Sequence, residues 1–282
     1  MKNTKHTNNK KSILGIDKGG DMVWILGPCS VENERNYIET GIELAKTMKG
    51  KDWYYKASFD KANRSSALGN RGPGLEKSIK LFAKIKKIIP GIKLTTDFHE
   101  PSQAKKLATY IDCIQIPAFL CRQTDLLVEA GKCFDVVNIK KGQWLHPENI
   151  VHSVSKVKHK NKKAQVWLTE RGTTFGYNQL VIDFASVSLF HEYFDRVILD
   201  CTHSTQFISD GGFVLGNRNL AERYMLSAPV FGYNGVFAET HPTPEKAISD
   251  GTCQLYLSRI KNLITLFDKL HKEYRDNSHL LT

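Results

Sequence analysis

The chain has 282 residues, of which 41% are hydrophobic and 24% charged, and this composition excludes both a wholly disordered chain and a small disulfide-stabilised scaffold. Its formal net charge is +11, but no Lys-rich segment is interleaved with aromatic residues, so a nucleic-acid partner is not expected. Because no apolar run approaches the ~18 residues of a membrane span and the first residues lack the apolar core of a secretory signal, the sequence predicts a cytoplasmic protein without a membrane partner.

Part of the positive charge lies at the start of the chain. Residues 1–21 form a polar leader that contains five lysines, and we predict that the folded catalytic domain spans residues 22–282. A second basic run, Lys156 to Lys163, is typical of a solvated loop after a helix. The six cysteines form no CxxC pair, which favours reduced thiols over a disulfide framework.

Short apolar and β-branched runs recur along the chain and predict eight strands. They start 20 to 40 residues apart, the repeat of a strand–helix unit. In chain order the predicted strands are Val23–Leu26, Trp53–Tyr55, Lys93–Thr96, Cys113–Ile116, Phe134–Ile139, Ala164–Leu168, Arg196–Leu199 and Gly232–Ala238.

The segments between these strands show helical spacing of apolar residues. One stripe contains Leu75, Ile79, Phe82, Ile85 and Ile89; another contains Ala104, Leu107, Ala108 and Ile111 after Pro101; the last contains Leu257, Ile260, Leu263, Ile264, Phe267 and Leu270. Eight strand–helix units predict a single-domain α/β protein, the (β/α)8 TIM barrel. A doubly wound open sheet is the alternative, but no GxGxxG follows the first strand.

In such a barrel the chemistry lies at the C-terminal ends of the strands, and here every one of those ends is polar. Several of these ends carry cations: Lys56, Lys61, Arg64, Arg122, Lys140 and Arg171. Cations on one rim would repel one another unless anions bind, and phosphate and carboxylate are the groups that Arg and Lys bind best. The set predicts a ligand, or ligands, with more than one anionic group.

A second group of strand-end residues has the chemistry of metal ligands. Cys29, His203 and Glu239 follow the first, seventh and eighth strands, which are neighbours once a barrel closes, and Asp250 lies in the loop after the eighth strand. One thiolate, one imidazole and two carboxylates suit a borderline divalent ion, Fe2+ or Zn2+, with Mn2+ or Co2+ as further choices. The alternative to a metal-ligand role is that Cys29 is a small buried residue of the core.

These strand ends resemble one known family. The matching segments are Lys56–Ser66, Arg71–Glu76, Gln115–Leu120, Gln123–Leu126, Asn138–Gln143, Glu170–Gly172, Phe175–Tyr177, Thr202–Ser204 and Ala238–Pro242. They are similar to 3-deoxy-D-manno-octulosonate 8-phosphate synthase (KDO-8-phosphate synthase), over roughly residues 23 to 270. The resemblance implies a (β/α)8 barrel, a homotetramer, and condensation of phosphoenolpyruvate with D-arabinose 5-phosphate and water to give KDO 8-phosphate and phosphate, for lipopolysaccharide synthesis.

The resemblance also implies residue roles, position by position. Phosphoenolpyruvate is expected at Lys61, Lys140 and Arg171, with Lys56, Ser58, Gln115 and Ala118 as further lining. Arabinose 5-phosphate is expected at Asn63, Arg64 and Ser65, and Arg122 matches a residue that reaches the neighbouring subunit's site. Cys29, His203, Glu239 and Asp250 match the four ligands of the metal-dependent branch, whereas the metal-independent branch has Asn in place of Cys29. The residues expected to be catalytic are Cys29, Lys61, Lys140, His203 and Asp250.

One segment departs from the family pattern. The loop from Gln206 to Arg218 is shorter and more apolar than the Gly- and Ser-rich loop usual there, so no role in closure is carried over to Arg218. A related synthase that uses erythrose 4-phosphate is the nearest alternative function, although its sugar-phosphate motif differs from Lys61–Ser66. A basic nucleic-acid-binding protein would explain the charge but not the polar strand ends, and a barrel without catalysis would not need the full ligand set.

Overall fold

The computed structural model describes residues 22–64, 68–211 and 214–281 and contains a closed parallel barrel. The barrel strands are β1 Val23–Gly27, β2 Asp52–Lys56, β3 Lys93–Asp97, β4 Cys113–Ile116, β5 Val136–Lys140, β6 Gln165–Glu170, β7 Arg196–Asp200 and β8 Gly235–His241. Each strand pairs in parallel with the next, and β1 pairs with β8, which closes the sheet. The eight predicted strands and the (β/α)8 fold are therefore confirmed, and the open sheet is wrong.

Every barrel strand is followed by at least one α-helix. The α-helices are α1 Glu34–Thr47, α2 Leu75–Ile88, α3 Pro101–Leu107, α4 Thr124–Cys133, α5 Pro147–Ile150, α6 His152–Lys158, α7 Val187–Tyr193, α8 Arg218–Ser227 and α9 Leu257–Asn277. Pro101 occupies the first turn of α3, as predicted, because its missing N–H has no partner to lose there. None of the helices in the described ranges is both long enough and apolar enough to cross a membrane.

Several local predictions differ from the structure; the eighth strand, for example, is Gly235–His241 where Gly232–Ala238 was predicted. The predicted apolar stripe extends to Ile111, but helix α3 ends at Leu107. The backbone N–H of Asp112 donates to the carbonyl of Leu94, and this bond leads the chain into β4. The basic run Lys156 to Lys163 starts inside α6, and only the part after Lys158 is a loop. The predicted leader, residues 1–21, lies outside the described residues.

Five further short strands lie at the C-terminal face of the barrel. Thr173–Thr174 pairs antiparallel with Leu180–Val181, and Phe207–Ile208 pairs antiparallel with Val214–Leu215. Leu255–Tyr256 adds to the end of β8 in parallel. All six cysteines are free, as predicted.

Side chains alternate between two apolar layers. One layer lies between the sheet and the helices, where Trp24 of β1 meets Phe267 of α9 edge-on with ring centroids 4.7 Å apart. The other fills the barrel itself and consists of Val23, Ile25, Tyr54, Cys113, Trp167, Ile198 and Phe237. Because a strand changes face with every residue, the next inward position on each strand lies one step nearer the C-terminal face.

Candidate active site

A polar layer lies directly above the apolar interior of the barrel. Lys56 stands two residues beyond Tyr54, Gln115 two beyond Cys113, Asp200 two beyond Ile198 and Glu239 two beyond Phe237; all four are buried. The period of two therefore points these groups inward at the C-terminal end, where the polar strand ends were predicted to meet. Phe237 forms part of the floor, since the Nζ atoms of Lys140 and Lys56 lie 3.7 and 5.6 Å from its ring centroid.

The ends of β1 and β2 are in unusually close contact. A Cβ on Gly27 would lie 2.0 Å from the carbonyl oxygen of Lys56, so only glycine fits at this position. The approach is continued by a hydrogen bond from Ser58 N to the carbonyl of Cys29, at 3.3 Å. It brings the Cys29 thiol and the Lys56 ammonium into one site.

Three of the four predicted metal ligands form a tight cluster. One ligand atom each of Cys29, Glu239 and Asp250 lies within 4.8 Å of the others, and Cys29 Sγ is 3.1 Å from Asp250 Oδ2. The fourth, His203, faces the cluster with its Nε2 atom 3.6 Å from Glu239 Oε1. The sequence prediction that these four residues converge is in agreement with this geometry.

The donor set fits a divalent metal ion. Glu239 Oε2 is buried and has no hydrogen-bond partner among the described residues, which leaves one carboxylate oxygen for an ion. Burial, together with the charge of Glu239, raises the pKa of the Cys29 thiol, and a bound cation would replace its proton. Asp250 has a left-handed backbone, φ 55°, a strained conformation for a residue with a side chain.

Asp200 holds both His203 and Lys140, and sequence reasoning gave it no role. Its Oδ2 atom is 2.8 Å from His203 Nδ1 and accepts a hydrogen bond from Lys140 Nζ at 2.6 Å. With its proton on Nδ1, His203 keeps the lone pair of Nε2 directed at Glu239, the arrangement typical of a metal-bound histidine. Burial would raise the pKa of Asp200, but its contacts with His203 and Lys140 hold it well below its usual range. Its place at the inward-facing end of β7 was the available signal.

Lys61 lies among anions on the β2 and β3 side of the site. Burial alone would lower its pKa, but the neighbouring acidic groups Cys29, Glu239 and Asp97 more than offset this and the pKa is raised. Its Nζ atom donates to Ser58 Oγ at 3.1 Å. Asp97 also pairs with His99 at 3.3 Å, so these two residues border the site.

Arg171 and Gln115 carry buried atoms that lack partners. Arg171 Nη2 donates to Gln206 Oε1 at 2.6 Å, whereas Arg171 Nη1 and Gln115 Oε1 have no hydrogen-bond partner among the described residues. Burial lowers the pKa of Arg171, yet a guanidinium remains charged. A buried cation with a free N–H is suited to an anionic ligand.

The remaining predicted residues differ in burial. Asn63 and Arg122 are exposed, Ala118 is buried in the turn after β4, and Ser65 lies outside the described residues. Arg64 bonds to the carbonyl oxygens of Asn70 and Ile248.

Arg218, to which no role was carried over, braces the segment after β8. Its guanidinium donates to the carbonyls of Gln254 and Gly251 at 2.6 and 2.7 Å and lies 4.3 Å from the Tyr256 ring. All its described contacts are therefore with the chain itself.

Comparison with known proteins identifies the family of this chain. A model of the "DAHP synthetase I family" matches residues 3–276. The chain belongs to this family. Three relatives named 2-dehydro-3-deoxyphosphooctonate aldolase are each 42% identical to this chain. The protein from Wolinella succinogenes matches over 256 residues, which are 86% of this chain and 97% of that protein. The proteins from Helicobacter hepaticus and Helicobacter pylori match over 264 residues (89% of this chain, 96% of that protein) and 277 residues (93% and 96%). That name denotes KDO-8-phosphate synthase, so the family recognised from the strand ends is confirmed.

Proposed function

We propose that this protein condenses phosphoenolpyruvate with D-arabinose 5-phosphate and water, giving KDO 8-phosphate and inorganic phosphate. The observation that carries the proposal is the buried layer of cations and metal-ligand groups on one rim of the barrel. The 42% identity to relatives named 2-dehydro-3-deoxyphosphooctonate aldolase supports the same reaction. Two highly charged substrates must approach each other in this reaction. Fixed cations supply the charge neutralisation and the orientation.

Phosphoenolpyruvate is assigned to Lys61, Lys140 and Arg171. Arg171 Nη1 is a buried cationic donor without a partner among the described residues, and we assign it to the phosphate or carboxylate. Lys140 is already paired with Asp200, so its role is to hold a positive charge above Phe237 rather than to donate every N–H to substrate. Ser58, Gln115 and Ala118 complete the lining with Lys56.

Arabinose 5-phosphate is assigned to Asn63, Arg64 and Ser65, with the phosphate at Arg64 and Ser65. Bond formation joins C3 of phosphoenolpyruvate to the aldehyde carbon, water adds at C2, and phosphate is released. Holding both substrates at fixed points on one rim makes this encounter effectively unimolecular. Arg122, exposed after β4, is assigned to the site of a neighbouring subunit in a homotetramer.

A divalent metal ion is assigned to four ligands: Cys29, His203, Glu239 and Asp250. Fe2+ or Zn2+ is the preferred ion, and Mn2+ or Co2+ is the second choice. When bound, the ion supplies Lewis-acid chemistry, acidifying a water or polarising the aldehyde oxygen. Asp200 maintains the His203 tautomer that this requires, and Lys56 balances the charge of Glu239 through their 2.5 Å contact.

The test is phosphate release from phosphoenolpyruvate plus arabinose 5-phosphate, measured before and after exhaustive chelation. We expect release that chelation abolishes and Fe2+ or Zn2+ restores. If chelation left phosphate release unchanged, the result would support the proposed reaction and contradict the role of the metal. Release with erythrose 4-phosphate but not with arabinose 5-phosphate would support the related synthase instead. Sedimentation of the purified protein tests the tetramer, and phosphate release by Arg122→Ala tests the shared site.

A further inference from the structure

All three guanidinium nitrogens of Arg64 donate hydrogen bonds to the protein itself. Its Nε atom donates to the carbonyl of Asn70 at 2.9 Å, Nη1 donates to Ser249 Oγ at 3.0 Å, and Nη2 donates to the carbonyl of Ile248 at 2.9 Å. A guanidinium offers two forked edges, one formed by Nε with Nη2 and one by Nη1 with Nη2. Each of the three nitrogens already donates to the protein, so a phosphate that binds Arg64 in a bidentate manner competes with these contacts.

Ser249 connects this arginine to a metal-ligand residue. Its hydroxyl accepts the hydrogen bond from Arg64 and donates to Asp250 Oδ2 at 2.6 Å, the same oxygen that lies 3.1 Å from Cys29 Sγ. A continuous chain of two hydrogen bonds therefore runs from the guanidinium to the carboxylate. A hydroxyl that receives a bond from a cation becomes a stronger donor, and it withdraws charge from the oxygen it faces.

We propose that Ser249 is a positioning residue that couples the phosphate of the sugar substrate to the metal ligand Asp250. The proposal rests on the proposed function, because it takes Arg64 as the phosphate-binding residue and Asp250 as a metal ligand. When phosphate draws Arg64 away from Ser249, the Ser249 hydroxyl withdraws less charge from the Asp250 carboxylate. The positive charge of Arg64 also moves away from this carboxylate. Phosphate binding therefore strengthens metal binding, and reciprocity requires that the metal strengthens phosphate binding by the same factor.

The direction of the coupling depends on the loop staying in place after Arg64 leaves. Three other contacts hold it. Ile248 N donates to Glu32 Oε1 at 2.9 Å, Gln254 Nε2 donates to the carbonyl of Ser249 at 2.8 Å, and Gln206 Nε2 donates to Asp250 Oδ1 at 2.9 Å. Since none of these involves Arg64, its departure changes the charge at Asp250 more than the position of Asp250.

The test is a Co2+ titration followed by the thiolate-to-cobalt absorption of Cys29, which does not depend on turnover. The probe is glycerol 3-phosphate, a phosphate monoester that has no aldehyde to bind the ion directly. In the wild-type protein we expect a saturating probe to tighten Co2+ binding about five-fold, a coupling typical of linked sites. In Ser249→Ala we expect less than about a two-fold change, and Ser249→Thr, which keeps the hydroxyl, should restore the coupling.

Thr252→Ala is the matched control, because its hydroxyl lies in the same loop but accepts a hydrogen bond from Gly216 N. It should keep the full effect of the probe. No change in the wild type, weaker Co2+ binding with the probe, or an undiminished effect in Ser249→Ala would overturn the inference. Turnover of phosphoenolpyruvate with arabinose 5-phosphate, measured on the same samples, separates this failure from that of the proposed function: turnover without coupling contradicts the inference alone.

Discussion

Replacing Asp200 with asparagine tests the centre of the site. Asparagine has the same shape and keeps an oxygen for the bonds that Asp200 Oδ1 accepts from the backbone N–H groups of Thr202 and His203, at 3.1 and 2.9 Å. What changes is the group facing Lys140 Nζ and His203 Nδ1, where an amide NH2 replaces a charged oxygen. The substitution therefore removes charge and an acceptor with little change in packing.

The expected loss of stability comes from Lys140. It is buried, and its short contact to Asp200 would be replaced by two facing donors. Leaving one member of a buried ion pair alone costs about 3–5 kcal/mol, and we expect about 3 kcal/mol because burial already lowers the pKa of Lys140 and allows it to lose its proton. Urea denaturation of both proteins gives the difference in unfolding free energy.

The expected loss of metal binding comes from His203. The amide introduced by Asp200→Asn can donate to Nδ1, which moves the histidine proton to Nε2 and blocks the ligand position beside Glu239. We expect metal affinity to fall about 10–100-fold. Asp268→Asn is the control: its pair with Lys51 is at the surface, so it should cost at most about 1 kcal/mol and leave metal binding unchanged. Wild-type stability and metal affinity in Asp200→Asn would refute this account of the site.

Three further predictions concern the metal, the core and pH. Cys29→Ala should lose metal, measured by elemental analysis, and most phosphate release, whereas Cys29→Asn should keep some release in chelator; wild-type values in both would contradict the ligand assignment. Phe267→Ala should lower the unfolding free energy by about 3–5 kcal/mol in urea because its ring is buried against Trp24, and a loss under about 1 kcal/mol would contradict that packing. Although burial lowers the pKa of His99, its bond to Asp97 raises it overall, so this stabilisation is present below about pH 6.5 and is lost as pH rises through the folded-state value. An NMR titration should show the His99 pKa falling in Asp97→Asn; an unchanged value would contradict the pairing.

Local patterns in the sequence were enough to place the strands and most of the helices. The alternation of apolar runs and helical stripes corresponds to β1–β8 and the helices between them because burial of one face imposes these periods. The end of α3 was wrong by a few residues because the bond between Asp112 and Leu94 is a tertiary contact. Family motifs at the strand ends also identified the candidate ligands.

The sequence by itself determined the barrel, the polar rim and the identity of the residues on it, since these depend on residue type and on spacing along one strand. Only the tertiary structure decided which of these residues are paired. The contact between Asp200 and His203 lies within one tight turn. The contacts of Asp200 with Lys140 and of Arg64 with Ser249 join separate segments of the chain. All three contacts depend on the directions of side chains at a closed rim. Spacing along one strand does not fix such contacts, because most of them depend on how the strands close on one another.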